Sequence, residues 1–312
     1  MKQLFSTLLF LLFISTIQAQ PEFRSVDSLA RTIRKSAYET PGELAMALCK
    51  NLQTDREKAR ALFTWLAENM RYDFKAIGKD GPDADSQEEY DEKRITLAYK
   101  KQKGVCMDYA LVYQTMATAA GLECAFIGGH CKGSLRGGWT KHAWNAVKID
   151  GQWQLLDVTW ASGHADEDGT KFIQAFQPGF FAPLPRIFAL NHFPTDPKWQ
   201  LLETPIDREV FKNQPGFSYG DLVSGITDAE PFGRPLIKDT AGKVELRLKI
   251  QEVPEVFILK SGSRELKFDW SEQDGWLVLQ FAPSGREVQV WGGERTRDGG
   301  YHTNLLGIFP VR

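Results

Sequence analysis

The chain is short of several things that would each point to a function. Its 312 residues include only four cysteines. That is too few for the disulfide framework of a small secreted scaffold, though enough for one catalytic thiol and one bridge. Neither sign of charge is in excess: 38 Lys and Arg against 40 Asp and Glu leave a formal charge of -2. No Lys/Arg-rich block stands out, which argues against nucleic acid or an acidic membrane surface as partner. After the first twenty residues no stretch approaches the roughly 18 apolar residues of a membrane span. Internal repeats and low-complexity tracts are also missing. What is present, 42% apolar, 25% charged and 12% aromatic residues, describes a globular protein. Its length suits about two domains, each able to bury its own core.

Met1 to Gln20 carries one early cation, Lys2, then an apolar run from Leu8 to Ile14 and a small residue at Ala19. The run is too short to span a bilayer, so residues 1–19 read as a secretory signal peptide. No cysteine follows it to take a lipid. The expectation is an exported chain, periplasmic or secreted, with no integral membrane segment once the signal is removed.

Apolar spacing sets out helices next. Val26, Leu29, Ala30, Ile33 and Ala37 lie on one helical face over 26–37. Thr40-Pro41-Gly42-Glu43 has the form of a capping box with proline at the first helical position, opening a helix to about Leu52. Thr54-Asp55-Arg56-Glu57 repeats the signal before Ala59, Leu62, Phe63, Leu66 and Met70. Residues 74–90 read as a solvated loop and 91–100 as a short helix. Cys106 to Ala120 is again helical, with Gly121 placed as a C-terminal cap. Leu122 to Gly128 reads as a strand and 129–140 as a Gly-rich loop bordering the site. Two more strands, 141–149 and 152–159, are joined by Asp150-Gly151, a strong hairpin signal. Residues 160–203 show few clear elements. From about Pro205 short alternating strands recur at 244–250, 255–260, 264–270, 276–282, 286–291 and 305–311. Their turn pairs suggest an immunoglobulin-like sandwich. The expected division is a leader over 1–19, a first domain over 20–204 and a β-sandwich over 205–312.

The hairpin permits a geometric deduction. With Asp150 and Gly151 as its loop, Ile149 faces Gln152, Trp144 faces Asp157 and His142 faces Thr159. His142, Trp144, Asp157 and Thr159 then share one face. His142 and Asp157 become diagonal neighbours, about 7 Å apart at Cα, within reach of an imidazole–carboxylate hydrogen bond. Such a bond fixes one ring nitrogen and frees the other to act on a nucleophile. Cys106 is the candidate nucleophile. It sits where a loop enters a helix, at the positive end of the macrodipole, which favours a thiolate. A Cys-His-Asp set is the equipment for acyl transfer through a thioester.

Lys103-Gly104-Val105-Cys106, Tyr109-Ala110, His142-Ala143-Trp144-Asn145 and Asp157-Val158-Thr159-Trp160 together resemble the transglutaminase-like superfamily. The resemblance is to its kyphoscoliosis-peptidase-type branch. Trp65-Leu66-Ala67-Glu68-Asn69 and Arg71-Tyr72-Asp73 upstream fit the same pattern, as do His192-Phe193-Pro194 and Trp199-Gln200-Leu201-Leu202 downstream. The likeness covers about residues 55–203. It implies an α+β, papain-like core, with the cysteine helix packed on an antiparallel sheet. It also implies Cys106 as nucleophile, His142 as base and acid, and Asp157 as orienting carboxylate. The implied substrate is a peptide or protein. Amide hydrolysis is the favoured outcome; crosslinking and a non-catalytic binding or scaffold module are the alternatives. The partner of the sandwich, another protein or a surface glycan, is not legible.

For the oxyanion, the Cys106 N–H is a natural donor. The family usually adds a second from upstream of the cysteine, for which Tyr72 and Gln102 are the candidates. Trp144 and Asp108 are expected to border the site. Asp108 stands where the family more often has glycine. Helix geometry turns residues 106 and 108 about 200° apart, so the carboxylate should face away from the thiol. Cys124, His130 and Cys131 lack the spacing of a structural zinc site, and no metal or cofactor is expected. In an exported chain Cys124 and Cys131 are candidates for a disulfide; otherwise Cys124 is a core strand residue.

Overall fold

The computed structural model describes residues 23–79, 81–132, 139–166, 168–214, 216–217, 226–250, 254–296 and 299–312. The leader expected over 1–19 and the middle of the Gly-rich stretch, 133–138, lie outside the described residues. No helix among the described residues is long and apolar enough to cross a membrane.

Among the described residues five α-helices come first: α1 (Arg24–Thr32), α2 (Pro41–Cys49), α3 (Asp55–Asn69), α4 (Gln87–Lys101) and α5 (Cys106–Ala119). Both expected capping boxes form. The Thr40 and Thr54 hydroxyls accept from the N–H groups of Glu43 and Glu57, and both carboxylates reach back. Two of the unpaired donors at each helix start are satisfied this way. α1 stops at Thr32, earlier than its apolar spacing suggested. α4 begins at Gln87, earlier than expected, because Ser86 caps it by accepting from Glu89 N–H at 3.1 Å. α5 ends in a Schellman turn: Leu122 N–H reaches Ala117 O at 2.9 Å and Gly121 N–H reaches Thr118 O at 3.0 Å. Gly121, at φ +83°, supplies the left-handed residue this turn needs.

Between these helices run two short parallel strands, β1 (Arg71–Tyr72) and β2 (Lys103–Gly104), with Tyr72 beside Gly104. Then come β3 (Cys124–Lys132), β4 (Trp139–Ile149) and β5 (Gln152–Leu156). A short helix α6 (Val158–Ser162) follows, with β6 (Gly163–Ala165), β7 (Phe172–Gln174), α7 (Pro185–Phe188) and β8 (His192–Pro194). β5, β4, β3 and β8 form one antiparallel sheet in that order. Asp150 and Gly151 both take positive φ, 50° and 80°, the two-residue loop that matches strand twist. The Ile149–Gln152 register is as deduced.

Two parts of the sequence reading are corrected. The strand expected over 152–159 stops at Leu156, because Asp157 caps α6 by accepting from Trp160 N–H at 3.0 Å. Thr159 is therefore helical and does not face His142 across a ladder. The loop expected over 129–140 is strand at both ends: β3 runs on to Lys132 and β4 begins at Trp139. Gly129 belongs to that ladder for a steric reason. A Cβ there would lie 2.4 Å from Phe193 O and 2.6 Å from the Trp144 ring, so only glycine lets β8 and the indole close in.

α5 buries Tyr109, Val112, Tyr113, Met116 and Ala117 against β3, β4 and the surrounding helices. The same core takes Trp65, Phe63, Trp144 and Leu156. A second core gathers Leu246, Leu248, Leu259, Leu279, Val288 and Val290, together with Ile187 and Leu190. Its frame follows α8 (Arg208–Asn213) and comprises β9 (Gly216–Phe217), β10 (Ile226–Glu230), β11 (Val244–Ile250), β12 (Val256–Ser261), β13 (Arg264–Leu266), β14 (Phe268–Gln273), β15 (Trp276–Phe281), β16 (Glu287–Arg295) and β17 (Tyr301–Pro310). One sheet runs β10-β11-β15-β14 and the other β13-β12-β16-β17-β9. With β10 as strand A, these are the A-B-E-D and C′-C-F-G orders of an immunoglobulin-like sandwich.

Candidate active site

The site is assembled at the start of α5. β1 lies alongside β2, with Arg71 N–H on Gln102 O at 3.0 Å and Asp73 N–H on Gly104 O at 2.9 Å. That clamp delivers Cys106 as the first residue of the helix, where helix geometry gives its N–H no acceptor. Asp108 secures the turn. Its Oδ2 accepts Val105 N–H at 2.8 Å, and its Oδ1 is paired with Arg94 Nε and Nη2, both at 2.8 Å. The carboxyl also presses on Gly104, where a Cβ would meet it at 2.6 Å. Asp108 is buried and committed to the helix end and Arg94, the direction expected from its place on the helix. Burial pushes its carboxyl above the ordinary value, opposed by Val105 N–H and Arg94.

His142 comes from β4 and Asp157 from the β5–α6 junction. His142 Nε2 is 2.7 Å from Asp157 Oδ2, with both side chains buried. Asp157 Oδ1 is occupied by Trp160 N–H. Burial alone would strip the proton from His142. The Asp157 charge, the hydrogen bond to it and a hydrogen bond with the Cys106 side chain outweigh burial and hold the imidazole well above its ordinary value. For Asp157 burial raises and the two partner imidazoles lower, and the net result lies well below the carboxylate range. Each partner thus favours the charged form of the other. Nε2 being committed, Nδ1 is the ring nitrogen left for the thiol.

A second histidine completes the group, and the sequence reading did not assign it to the site. His192 on β8 places its Nε2 3.0 Å from the same Asp157 Oδ2. It is fully buried, stacked on Phe188 with centroids 3.8 Å apart and edged by Trp144 and Trp160. The signal available in the sequence was His192-Phe193-Pro194, a histidine inside a recognisable motif. His142, Asp157 and His192 offer donor atoms within 4.8 Å of one another. A cation there would have to displace the protons that join both rings to the carboxylate.

Trp144 lies flat under His142, centroids 6.0 Å apart and planes 29° apart. Trp144 is buried and packs against the imidazole from the core side. The oxyanion candidates separate. Gln102, left-handed at the end of α4, donates its Nε2 to Asn69 O at 3.0 Å. Tyr72 is half-buried at the site, its hydroxyl held above the ordinary value by burial and then by Cys106, Cys131, Asp157 and Asp108. Cys124 and Cys131 are free thiols rather than a disulfide. Seven residues along one strand is about 23 Å, far beyond the reach of an S–S bond. Cys131 Sγ instead contacts Thr140 Oγ1 at 3.3 Å.

Part of the chain is similar in sequence to known proteins. Residues 42–158 match the transglutaminase-like superfamily, which supports that superfamily for this part of the chain. The chain is 29% identical over 234 residues to human kyphoscoliosis peptidase, covering 73% of this chain and 34% of that protein. To hillarin of Drosophila melanogaster it is 24% identical over 254 residues, covering 73% of this chain and 29% of that protein. The chain thus spans about a third of the length of these relatives. A solved structure of a TGase aligns at 21% identity and a TM-score of 0.27, over 46% of this chain and 33% of that one.

Proposed function

We propose that the chain is a cysteine-dependent acyl-transfer enzyme that hydrolyses amide bonds of peptides or proteins in an exported compartment. The observation that carries this reading is the 2.7 Å His142–Asp157 bond, with the Cys106 side chain close enough to the same imidazole to favour its protonated form. Cys106 Sγ attacks the amide carbonyl as a thiolate. The developing oxyanion is met by Cys106 N–H and the Tyr72 hydroxyl, each such donor contributing about 3 kcal/mol. His142 gives its Nδ1 proton to the departing amine and leaves a thioester on Cys106. The neutral imidazole then takes a proton from water, which attacks the thioester and releases the acid and the thiol. Asp157 keeps Nε2 protonated throughout and steadies the charged ring.

The test is alkylation of Cys106 followed by peptide mass mapping across pH, in the wild type and His142→Ala. Fast labelling below pH 7 that collapses in the variant is the expected result; identical profiles would remove the case for a nucleophile. Digestion of an unbiased peptide library then reads the substrate, with Cys106→Ser as control.

A further inference from the structure

His142 and His192 converge on one oxygen. Their Nε2 atoms lie 2.7 Å and 3.0 Å from Asp157 Oδ2, from β4 and β8, on either side of β3. A carboxylate can only accept, so both rings must present Nε2–H to it. Asp157 is then gripped by three donors, two imidazoles on Oδ2 and Trp160 N–H on Oδ1. Both carboxylate oxygens are held by donors, so the oxygen facing His142 has no freedom to turn away.

We propose that His192 is a positioning residue for this site: an imidazole that aims Asp157 at His142 by donating Nε2–H to the shared oxygen. The proposal rests on the acyl-transfer reading of Cys106 and His142. Packing alone does not explain the imidazole. His192 is stacked face to face on Phe188 and boxed by Trp144 and Trp160, a slot that a phenyl ring would fill. The second nitrogen, Nδ1, interacts with the Phe188 backbone without a well-aligned hydrogen bond. What the histidine adds over a phenyl ring is the Nε2–H on Asp157. Burial also keeps this ring below the ordinary histidine value, against the pull of Asp157. The opposite directions of the two shifts disfavour a second cation on the same carboxylate. The proton relevant to chemistry is confined to His142, the ring that meets the thiol.

The test uses the full chain and reads Cys106 alkylation against pH, with His142→Ala as reference. The ionisable groups acting on the imidazole are Cys106 from α5, Cys131 from β3, Asp157 from the α6 cap and His192 from β8, with Tyr72 from β1 beside Cys106. His192→Phe keeps the stacked ring and removes the donor. Labelling near neutrality should fall roughly 10- to 100-fold, the scale of a small misplacement of a catalytic group. Its alkaline limb should move to lower pH, because His142 no longer holds its proton as firmly. His192→Gln, whose amide nitrogen falls near Nε2, should restore most of the profile; His192→Asn, whose amide falls near Nδ1, should not. A His192→Phe profile that superimposes on the wild type, while His142→Ala abolishes labelling, would overturn the role of His192 alone. Equal defects in the Gln and Asn variants would overturn it too, and this comparison stands even where the Phe variant does not fold. A His142→Ala profile identical to the wild type would instead overturn the acyl-transfer reading, and the positioning role with it.

Discussion

His142 and Asp157 meet through Nε2 and Oδ2 at a strand-to-helix junction, not across a continuous ladder. Asp157 therefore does two things at once: Oδ1 caps α6 and Oδ2 holds the imidazole. Asp157→Asn separates them, since asparagine caps a helix as well as aspartate. α6 should persist while turnover falls about 10,000-fold, the scale seen when an orienting aspartate is made neutral. Near-ultraviolet circular dichroism checks the fold and single-turnover kinetics the loss.

The same pair sets a pH dependence. The Asp157 carboxyl is lowered on folding, so its contribution is present above the unfolded value of about 3.9 and is lost as pH falls below it. The His142 imidazole is raised, so its contribution is complete below about 6.5 and is lost only as pH rises through the higher folded value. The wild type should exceed Asp157→Asn in stability most between about pH 4 and 6.5. Urea titrations at pH 3 and pH 5.5 measure this; a gap as large at pH 3 as at pH 5.5 would contradict it.

Much of this site was legible because its parts are local. Thr40, Thr54 and Gly121 mark helix ends by their own chemistry, and Asp150-Gly151 fixes a register that brings His142 near residue 157. What misled was Val158-Thr159, two β-branched residues that read as strand. The stronger fact was Asp157 as a cap, with a carboxylate able to accept Trp160 N–H. His192 was beyond such reasoning. It reaches Asp157 only because β8 pairs with the far edge of β3, a contact 35 residues away in the chain.

Asp108 stands where the family this chain resembles more often has glycine, and its contacts define its effect. Asp108→Gly removes the acceptor of Val105 N–H and leaves Arg94, mostly buried, without its carboxylate. Loss of one partner of a buried pair costs about 3 kcal/mol. The melting temperature should drop clearly. Labelling of Cys106 should change little, since Arg94 already neutralises the charge and the side chain faces away from the thiol. A large acceleration without loss of stability would mean that the carboxylate restrains the nucleophile.

Tyr72 and Gln102 can be told apart by kinetics. Tyr72→Phe should lower kcat about 100-fold with little change in KM, the signature of a donor used only in the transition state. Gln102→Ala should leave kcat in place and cost about 1 kcal/mol of stability through the lost bond to Asn69 O. The reverse pattern would assign the oxyanion to Gln102.

The last prediction concerns where the first domain ends. The sequence places the boundary at 204/205, but α8, just beyond it, packs backwards. Phe211 is fully buried between Trp139 and Phe193, with ring centroids 5.1 Å from each. Lys132 Nζ lies 4.6 Å over the same ring and donates to Gln214 O at 3.4 Å; burial there lowers its ammonium to about 8. Gln214 also donates to Ala189 O. A fragment ending at residue 204 would expose the slot that Phe211 fills, a loss of about 3–5 kcal/mol by analogy with removing a buried phenylalanine. Residues 20–214 should therefore melt well above residues 20–204 when each is expressed alone and heated under the same conditions. The contact also runs the other way, for Ile187 and Leu190 join the core of the sandwich and Arg186 pairs with Asp228 at 3.0 Å. Residues 216–312 alone should accordingly melt as a cooperative β protein, but below the same sandwich in the full chain. Equal melting of the two N-terminal fragments would return the boundary to residue 204 and make α8 a linker.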